Sequence, residues 1–129
     1  MTSALVVDDD ASIRFVLGRA LEGLGIRVTE VDDGAEVMAM ICGHHFDLLV
    51  IDLYMPGMNG FEVLRQVRRS APGLRPAPRT SRDVPVLVVS GEIEPESIAN
   101  ARHLGATAQL PKPVDIDDFE AEVRRLVGR

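Results

Sequence analysis

Three nearly unbroken apolar runs punctuate the chain: Ala4 to Val7, Leu48 to Ile51 and Val86 to Val89. Each is followed at once by a polar residue, Asp8, Asp52 and Ser90 in turn. A strand with one face in water alternates apolar and polar positions. A run without alternation suits a strand covered on both faces, as in a parallel sheet between helices. Two weaker candidates, Ile26 to Val31 and Ala108 to Leu110, are more polar or shorter and suit the edges. Between the runs the spacing changes to threes and fours. Ile13, Val16, Leu17, Ala20, Leu21 and Leu24 predict a helix stopped near Gly25. Val37, Met40 and Ile41 predict a second, ending at Gly43. Phe61, Leu64 and Val67 predict a third after Asn59-Gly60, and Ile98, Ala101 and Leu104 a fourth before Gly105. The fifth runs from Ile116 through Phe119, Val123 and Leu126 to Val127. Asp115 is placed to cap it, and Asp117 and Asp118 face the positive end of its dipole.

Five β-α repeats call for a doubly wound parallel sheet with right-handed crossovers. In its five-strand, flavodoxin-like form the order is 2-1-3-4-5. Ligands then bind beyond the carboxyl ends, where strands 1 and 3 lie side by side. The residues just after runs one, three, four and five should therefore share one pocket.

Composition narrows the function. With 129 residues and 46% apolar content the chain suits one domain, residues 1–129, with a core that needs no staples. A net charge of −6 argues against direct nucleic-acid binding, and 4% aromatics with no tryptophan argues against base stacking. No apolar run approaches a membrane span, nothing resembles a signal peptide, and the single Cys42 cannot form an internal disulfide. The expected setting is the cytoplasm, without membrane insertion.

The pocket residues carry the chemistry. Asp8-Asp9-Asp10 follows run one, Asp52 run three and Ser90 run four, and Lys112 stands just past run five. Neighbouring strands are about 4.8 Å apart, so carboxylates at the ends of strands 1 and 3 must be close. Their mutual repulsion invites a hard divalent cation, and Mg2+ suits one or two carboxylates with water and phosphate oxygens. Ser90 and Lys112 supply a hydroxyl and an ammonium group for the oxygens of a phosphoryl group. The Asp52 carboxylate can itself accept phosphate as an acyl phosphate.

Four segments together carry a family resemblance. They are Leu5-Val6-Val7-Asp8-Asp9-Asp10, the stretch from Asp52 through Tyr54, Pro56 and Asn59 to Gly60, Val88-Val89-Ser90-Gly91-Glu92, and Leu110-Pro111-Lys112-Pro113. In this order the chain resembles, over essentially its whole length, the CheY-like receiver domain of bacterial two-component response regulators. The resemblance implies a signalling domain rather than an enzyme, beyond self-phosphorylation from small donors and autodephosphorylation. Asp52 would be the phosphoacceptor. Asp9 would hold Mg2+ directly and Asp8 partly through water, with the Tyr54 backbone carbonyl as a further ligand. Ser90 would move to the phosphoryl group, and Lys112 would pair with it after a cis Lys112-Pro113 bond. A sensor histidine kinase or histidine phosphotransfer protein would be the donor. The surface of the fourth helix, fifth strand and fifth helix would respond, and a phosphorylation-dependent homodimer through the fourth and fifth helices is compatible with this.

Two departures stand out. Gln109 takes the switch position where such regulators often carry Tyr or Phe, so an inward-turning aromatic ring cannot couple site to output. Ser90 replaces the frequent Thr. Tyr54 and Glu92 flank the pocket at positions that resemble those tuning phosphoryl lifetime. Two other readings stay open. Asp8-Asp9-Asp10 also fits the D-x-D motif of haloacid-dehalogenase-like phosphatases, with Asp8 as nucleophile, although the chain is short for that fold and the Pro56-to-Gly60 loop goes unexplained. Gln109 also suits a receiver that has become a phosphorylation-independent interaction domain. No DNA-binding or enzymatic output domain is visible, so the chain either stands alone or is part of a longer regulator.

The remaining residues read as structural. Asp10 would cap the first helix, His44 and His45 would lie in a solvated turn, His103 would be exposed and Cys42 would pack in the core. Met55 and Met58 would pack the loop after Asp52. Arg65, Arg68 and Arg69, with Arg75, Arg79 and Arg82, form a basic stretch that could meet an acidic surface. Ser70 to Pro85, with four prolines, is long for a connection and is expected to be mobile.

Overall fold

The computed structural model describes residues 1–69, 78–91 and 94–128. Strands β1 (Ser3–Val7), β2 (Arg27–Val31), β3 (Leu48–Ile51), β4 (Val86–Ser90) and β5 (Ala108–Pro111) alternate with helices. These are α1 (Ala11–Gly23), α2 (Val37–Gly43), α3 (Gly60–Arg68), α4 (Pro95–His103) and α5 (Ile116–Val127). The strands form one sheet in the order β2-β1-β3-β4-β5, every pair parallel. The expected doubly wound topology is thus the observed one. β3 and β4 are buried at every position, whereas β2 and β5 are largely half-exposed, as edges should be.

Strand geometry sends successive side chains to opposite faces, which splits the core in two. Leu5, Val7, Leu49, Ile51, Val86 and Val88 pack against Val37 and Ile41 of α2, Val63, Leu64 and Val67 of α3, and Ala101 of α4. Ala4, Val6, Leu48, Val50, Leu87 and Val89 pack against Leu17 and Leu21 of α1 and Phe119 and Val123 of α5. Runs without alternation therefore serve two apolar layers at once. α1 departs from expectation in one respect: Val16 is exposed together with Phe15, because Leu17, Gly18 and Leu21 form the buried stripe.

Side-chain caps fix where the helices begin. Asp10 accepts from the Ser12 backbone N–H at 2.9 Å and from its hydroxyl at 2.6 Å, and Asp115 accepts from the Asp118 N–H at 3.0 Å. A short 3-10 turn, Gly34–Glu36, precedes α2 and was not anticipated. Its Asp33 cap bonds the Ala35 N–H, and Gly34 lies against the Met58 carbonyl so closely that a Cβ would collide with it.

The 70–85 connection divides. Residues 70–77 lie outside the described residues, and with them most of the expected mobility. Residues 78–85 are anchored instead. Buried Thr80 donates its hydroxyl to the His44 carbonyl at 2.6 Å and accepts from the Phe46 N–H at 3.0 Å. Arg68 donates to the carbonyls of Arg82 at 2.7 Å, Val84 at 2.6 Å and Gly105 at 2.7 Å. Arg68 thus ties three segments together, and Arg65 pairs with Glu62 at 2.8 Å. Arg75, a further part of the basic stretch, lies outside the described residues. Cys42 is half-buried rather than core. His44, His45 and His103 are exposed as expected, but His45 is tied by its ring to Asp47 at 3.0 Å and to the Arg79 carbonyl at 3.3 Å. No helix among the described residues is long and apolar enough to cross a membrane.

Candidate functional site

Val7 and Ile51 are paired across β1 and β3, so the residues after them, Asp8 and Asp52, stand side by side at the carboxyl edge. The backbone continues that pairing for one more step, since the Asp52 N–H donates to the Val7 carbonyl at 3.0 Å. Asp8 is 2% exposed and Asp52 6%, while Asp9 is at the surface. One oxygen of each of the three carboxylates lies within 4.8 Å of the other two. That spacing and the all-oxygen donor set fit a hard divalent cation such as Mg2+.

Lys112 follows β5 and reaches back past the end of β4. Its Nζ donates to Asp8 Oδ2 at 2.8 Å and to Asp52 Oδ2 at 3.2 Å. Its backbone N–H is held by the Ser90 carbonyl at 3.0 Å, and the Lys112-Pro113 peptide is cis, as the resemblance implied. The resemblance implied that Lys112 pairs with the phosphoryl group on Asp52. Here the ammonium bridges the two buried acids. Two carboxylates in low dielectric need a counter-charge, and this is the nearest one.

Electrostatics follow from burial. Burial raises the Asp8 carboxyl above its ordinary pKa, opposed by the Lys112 hydrogen bond and the Asp10 N–H, which reaches Asp8 Oδ1 at 2.9 Å. The charge on Asp52 adds to the rise. Burial alone would lower Lys112, yet its hydrogen bond to Asp8 and the charges of both acids outweigh that and raise it. Asp10 is lowered by the Ser12 hydroxyl and N–H, consistent with a helix cap rather than a shared ligand site.

The remaining site residues sit around this centre. Ser90 ends β4, buried; Ile51 pairs with Val88, so Ser90 lies one register step beyond the level of Asp52. The Tyr54 N–H donates to Asp52 Oδ1 at 3.3 Å, and its ring meets Phe61 edge-on at 5.8 Å. The Tyr54 hydroxyl lies 3.2 Å from Ser97 Oγ on α4. Gln109 donates its amide to the Ile98 carbonyl at 2.9 Å and lines, with Ser90, Arg102 and Leu110, a cavity of about 360 Å³ between α4 and β5. Met55 packs into the core and Met58 against it. Glu92 lies outside the described residues.

Two contributors escaped the sequence reading. Gly60 starts α3 so close to the acceptor loop that a Cβ would collide with the Asp52 carbonyl and the Leu53 Cα. Its N–H bonds the Leu53 carbonyl at 2.9 Å. The Asn59-Gly60 pair was the available signal, read only as a helix start. Arg14, on α1, donates to the Asp8 carbonyl at 2.7 Å. Nothing in its spacing set it apart from the other arginines.

Comparison with known proteins agrees with this geometry. The DNA-binding transcriptional regulator NtrC of Escherichia coli strain K12 is 38% identical to this chain over 123 residues, 95% of this chain and 24% of that protein. Response regulator MprA of Mycobacterium ulcerans is 35% identical over 125 residues, 97% of this chain and 50% of that protein. The chain thus spans about a quarter to a half of the length of these relatives. The solved structure of Vibrio cholerae chemotaxis protein CheY4 is similar with a TM-score of 0.84 and 30% identity, covering 98% of both chains. These likenesses favour the receiver reading over the phosphatase and the phosphorylation-independent module. The family model for the response regulator receiver domain matches residues 4–124, and the chain with its paired acids and bridging lysine belongs to that family.

Proposed function

We propose that Asp52 receives a phosphoryl group and that the whole chain acts as one receiver domain switched by it. The observation that carries this reading is the convergence of Asp8, Asp9, Asp52 and Lys112 at the ends of β1, β3 and β5. An oxygen of Asp52 attacks phosphorus. The acyl phosphate P–O bond forms as the donor's bond to phosphorus breaks, and the departing imidazole nitrogen of the donor takes up a proton. Asp8, Asp9 and Asp52, with the Tyr54 carbonyl, would hold Mg2+, which supplies charge neutralisation for the phosphoryl oxygens. Lys112 then exchanges a carboxylate partner for a phosphoryl oxygen, and the Ser90 hydroxyl donates to another.

Receiver domains interact with histidine kinases and phosphotransfer proteins, and one of these is the donor in this reading. The chain itself does no further chemistry, sits in the cytoplasm and does not contact nucleic acid, in keeping with its net charge of −6. The output runs into α4 by polar contacts. Tyr54 meets Ser97 and Gln109 holds Ile98, adjacent residues in the first turn of α4. Ser90 and Gln109 form the switch, with an amide in place of an aromatic ring.

Intact mass after incubation with acetyl phosphate and Mg2+ tests the reading. Wild type should gain a labile phosphoryl adduct that Asp52→Asn abolishes and EDTA prevents. An adduct that survives Asp52→Asn and disappears in Asp8→Asn would reverse the assignment.

A further inference from the structure

Asp8 and Asp9 are held very differently. The Asp8 carboxylate is fixed by the Asp10 N–H and by Lys112, at 2.9 and 2.8 Å. The exposed Asp9 carboxylate takes no hydrogen bond or ion pair among the described residues. Its direction is therefore set through its backbone, chiefly by the plane of the Asp8–Asp9 peptide.

That peptide has a dedicated support. The Arg14 guanidinium turns back from α1 and donates NH1 to the Asp8 carbonyl at 2.7 Å, while Nε meets Glu30 Oε1 on β2 at 3.3 Å. The Arg14 side chain is only 17% exposed, although it belongs to a surface helix. One turn further along α1 stands Gly18, where Glu30 Oε2 comes within 3.7 Å of the position a Cβ would take. The Glu30 carboxylate thus packs over the small residue Gly18 at ordinary contact distance. A planar guanidinium with donors in a rigid fork holds a carbonyl and a carboxylate in a fixed relative geometry, whereas the point-like ammonium of a lysine imposes no such plane.

We propose that Arg14 is a positioning residue: anchored by Glu30, it clamps the Asp8–Asp9 peptide and thereby aims the Asp9 carboxylate toward Asp8 and Asp52. The proposal rests on the metal-dependent reading of the acidic cluster. It is also opposite in sign to the obvious alternative. Were Arg14 merely a nearby positive charge, its removal would strengthen the binding of a cation. As a clamp, its removal weakens that binding, since outer partners that orient metal ligands are worth about 10- to 100-fold in affinity.

Isothermal calorimetry with Mg2+ alone reads this directly on the full chain, without phosphorylation. Arg14→Met should weaken Mg2+ by roughly tenfold. The charge-balanced pair Arg14→Gln with Glu30→Gln should do likewise, although the net charge is unchanged. Arg14→Lys keeps the charge and covers the case in which Arg14→Met fails to fold; it too should bind Mg2+ several-fold more weakly. A purely structural arginine would lower the unfolding midpoint of the metal-free protein and leave Mg2+ affinity alone. Equal or tighter Mg2+ binding in folded Arg14→Met, or unaltered binding in Arg14→Lys, overturns the proposal. Absence of Mg2+ binding in wild type would instead overturn the metal-dependent reading on which it stands.

Discussion

Asp8 illustrates how a site residue works against the fold that holds it. Its carboxyl is raised by burial, so ionising it at neutral pH costs folding free energy. Between the unfolded value of about 3.9 and the raised folded value, the folded state holds the extra proton, and stability falls as pH rises. Above the folded value the penalty is complete; below the unfolded value it is gone. Asp8→Asn should therefore be as stable as wild type, or more so, in EDTA at pH 7, with an advantage that shrinks as pH is lowered. Mg2+ should reverse the order: at ten times its Kd it adds about 1.4 kcal/mol to wild type and little to the variant. Denaturant unfolding at several pH values with and without Mg2+ checks both. A variant less stable than wild type in EDTA at pH 7 would contradict the assignment of Asp8 as a strained acid.

At the scale of elements, the site depends on how closely α3 approaches β3. Gly60 is the first residue of α3 and has no room for a side chain against the Asp52 carbonyl. Gly60→Ala must push the helix away from the acceptor loop, and overpacking of this kind costs about 1–3 kcal/mol. Urea unfolding should show that loss, and the same displacement should slow labelling by acetyl phosphate. Wild-type stability in Gly60→Ala would mean that the loop yields freely. This constraint was only half legible. Asn59-Gly60 announced a helix start, and the Asn59 side chain does cap it, accepting from the Glu62 N–H at 3.0 Å. The close approach was not legible, because it depends on which loop the helix end meets. The three central strands were readable from their unbroken apolar runs, since both their faces are covered, whereas the half-exposed edge strands β2 and β5 showed only weakly. The Gly34–Glu36 turn carried no periodicity to read.

For the molecule as a whole, the question is how an event at Asp52 reaches a distant surface. α4 is held on the site side by Tyr54 and on the β5 side by Gln109, through Ser97 and Ile98. Gln109→Ala removes the β5 hold and leaves the acids and Lys112 in place. Hydrogen exchange in α4 should quicken in the unphosphorylated protein, while the acetyl phosphate labelling rate at Asp52 stays near that of wild type. Unchanged exchange in α4 would show that Gln109 does not restrain it. In the proposed reading, phosphorylation would bias the equilibrium that this hold sets, as population-shift control requires.

The order of elements, the covered sheet and the four strand-end residues Asp8, Asp52, Ser90 and Lys112 all followed from local pattern. Period and run length report burial, and burial in a doubly wound sheet sends every strand end to one edge. What pattern cannot carry is the pairing of groups far apart in the chain. Lys112 bridging Asp8 and Asp52, Gln109 on Ile98, Arg68 across three segments and Arg14 on the Asp8 carbonyl are such pairings. A long polar side chain can reach several partners from the same sequence position. Only the packed helices and strands around it decide which of them come within hydrogen-bonding distance.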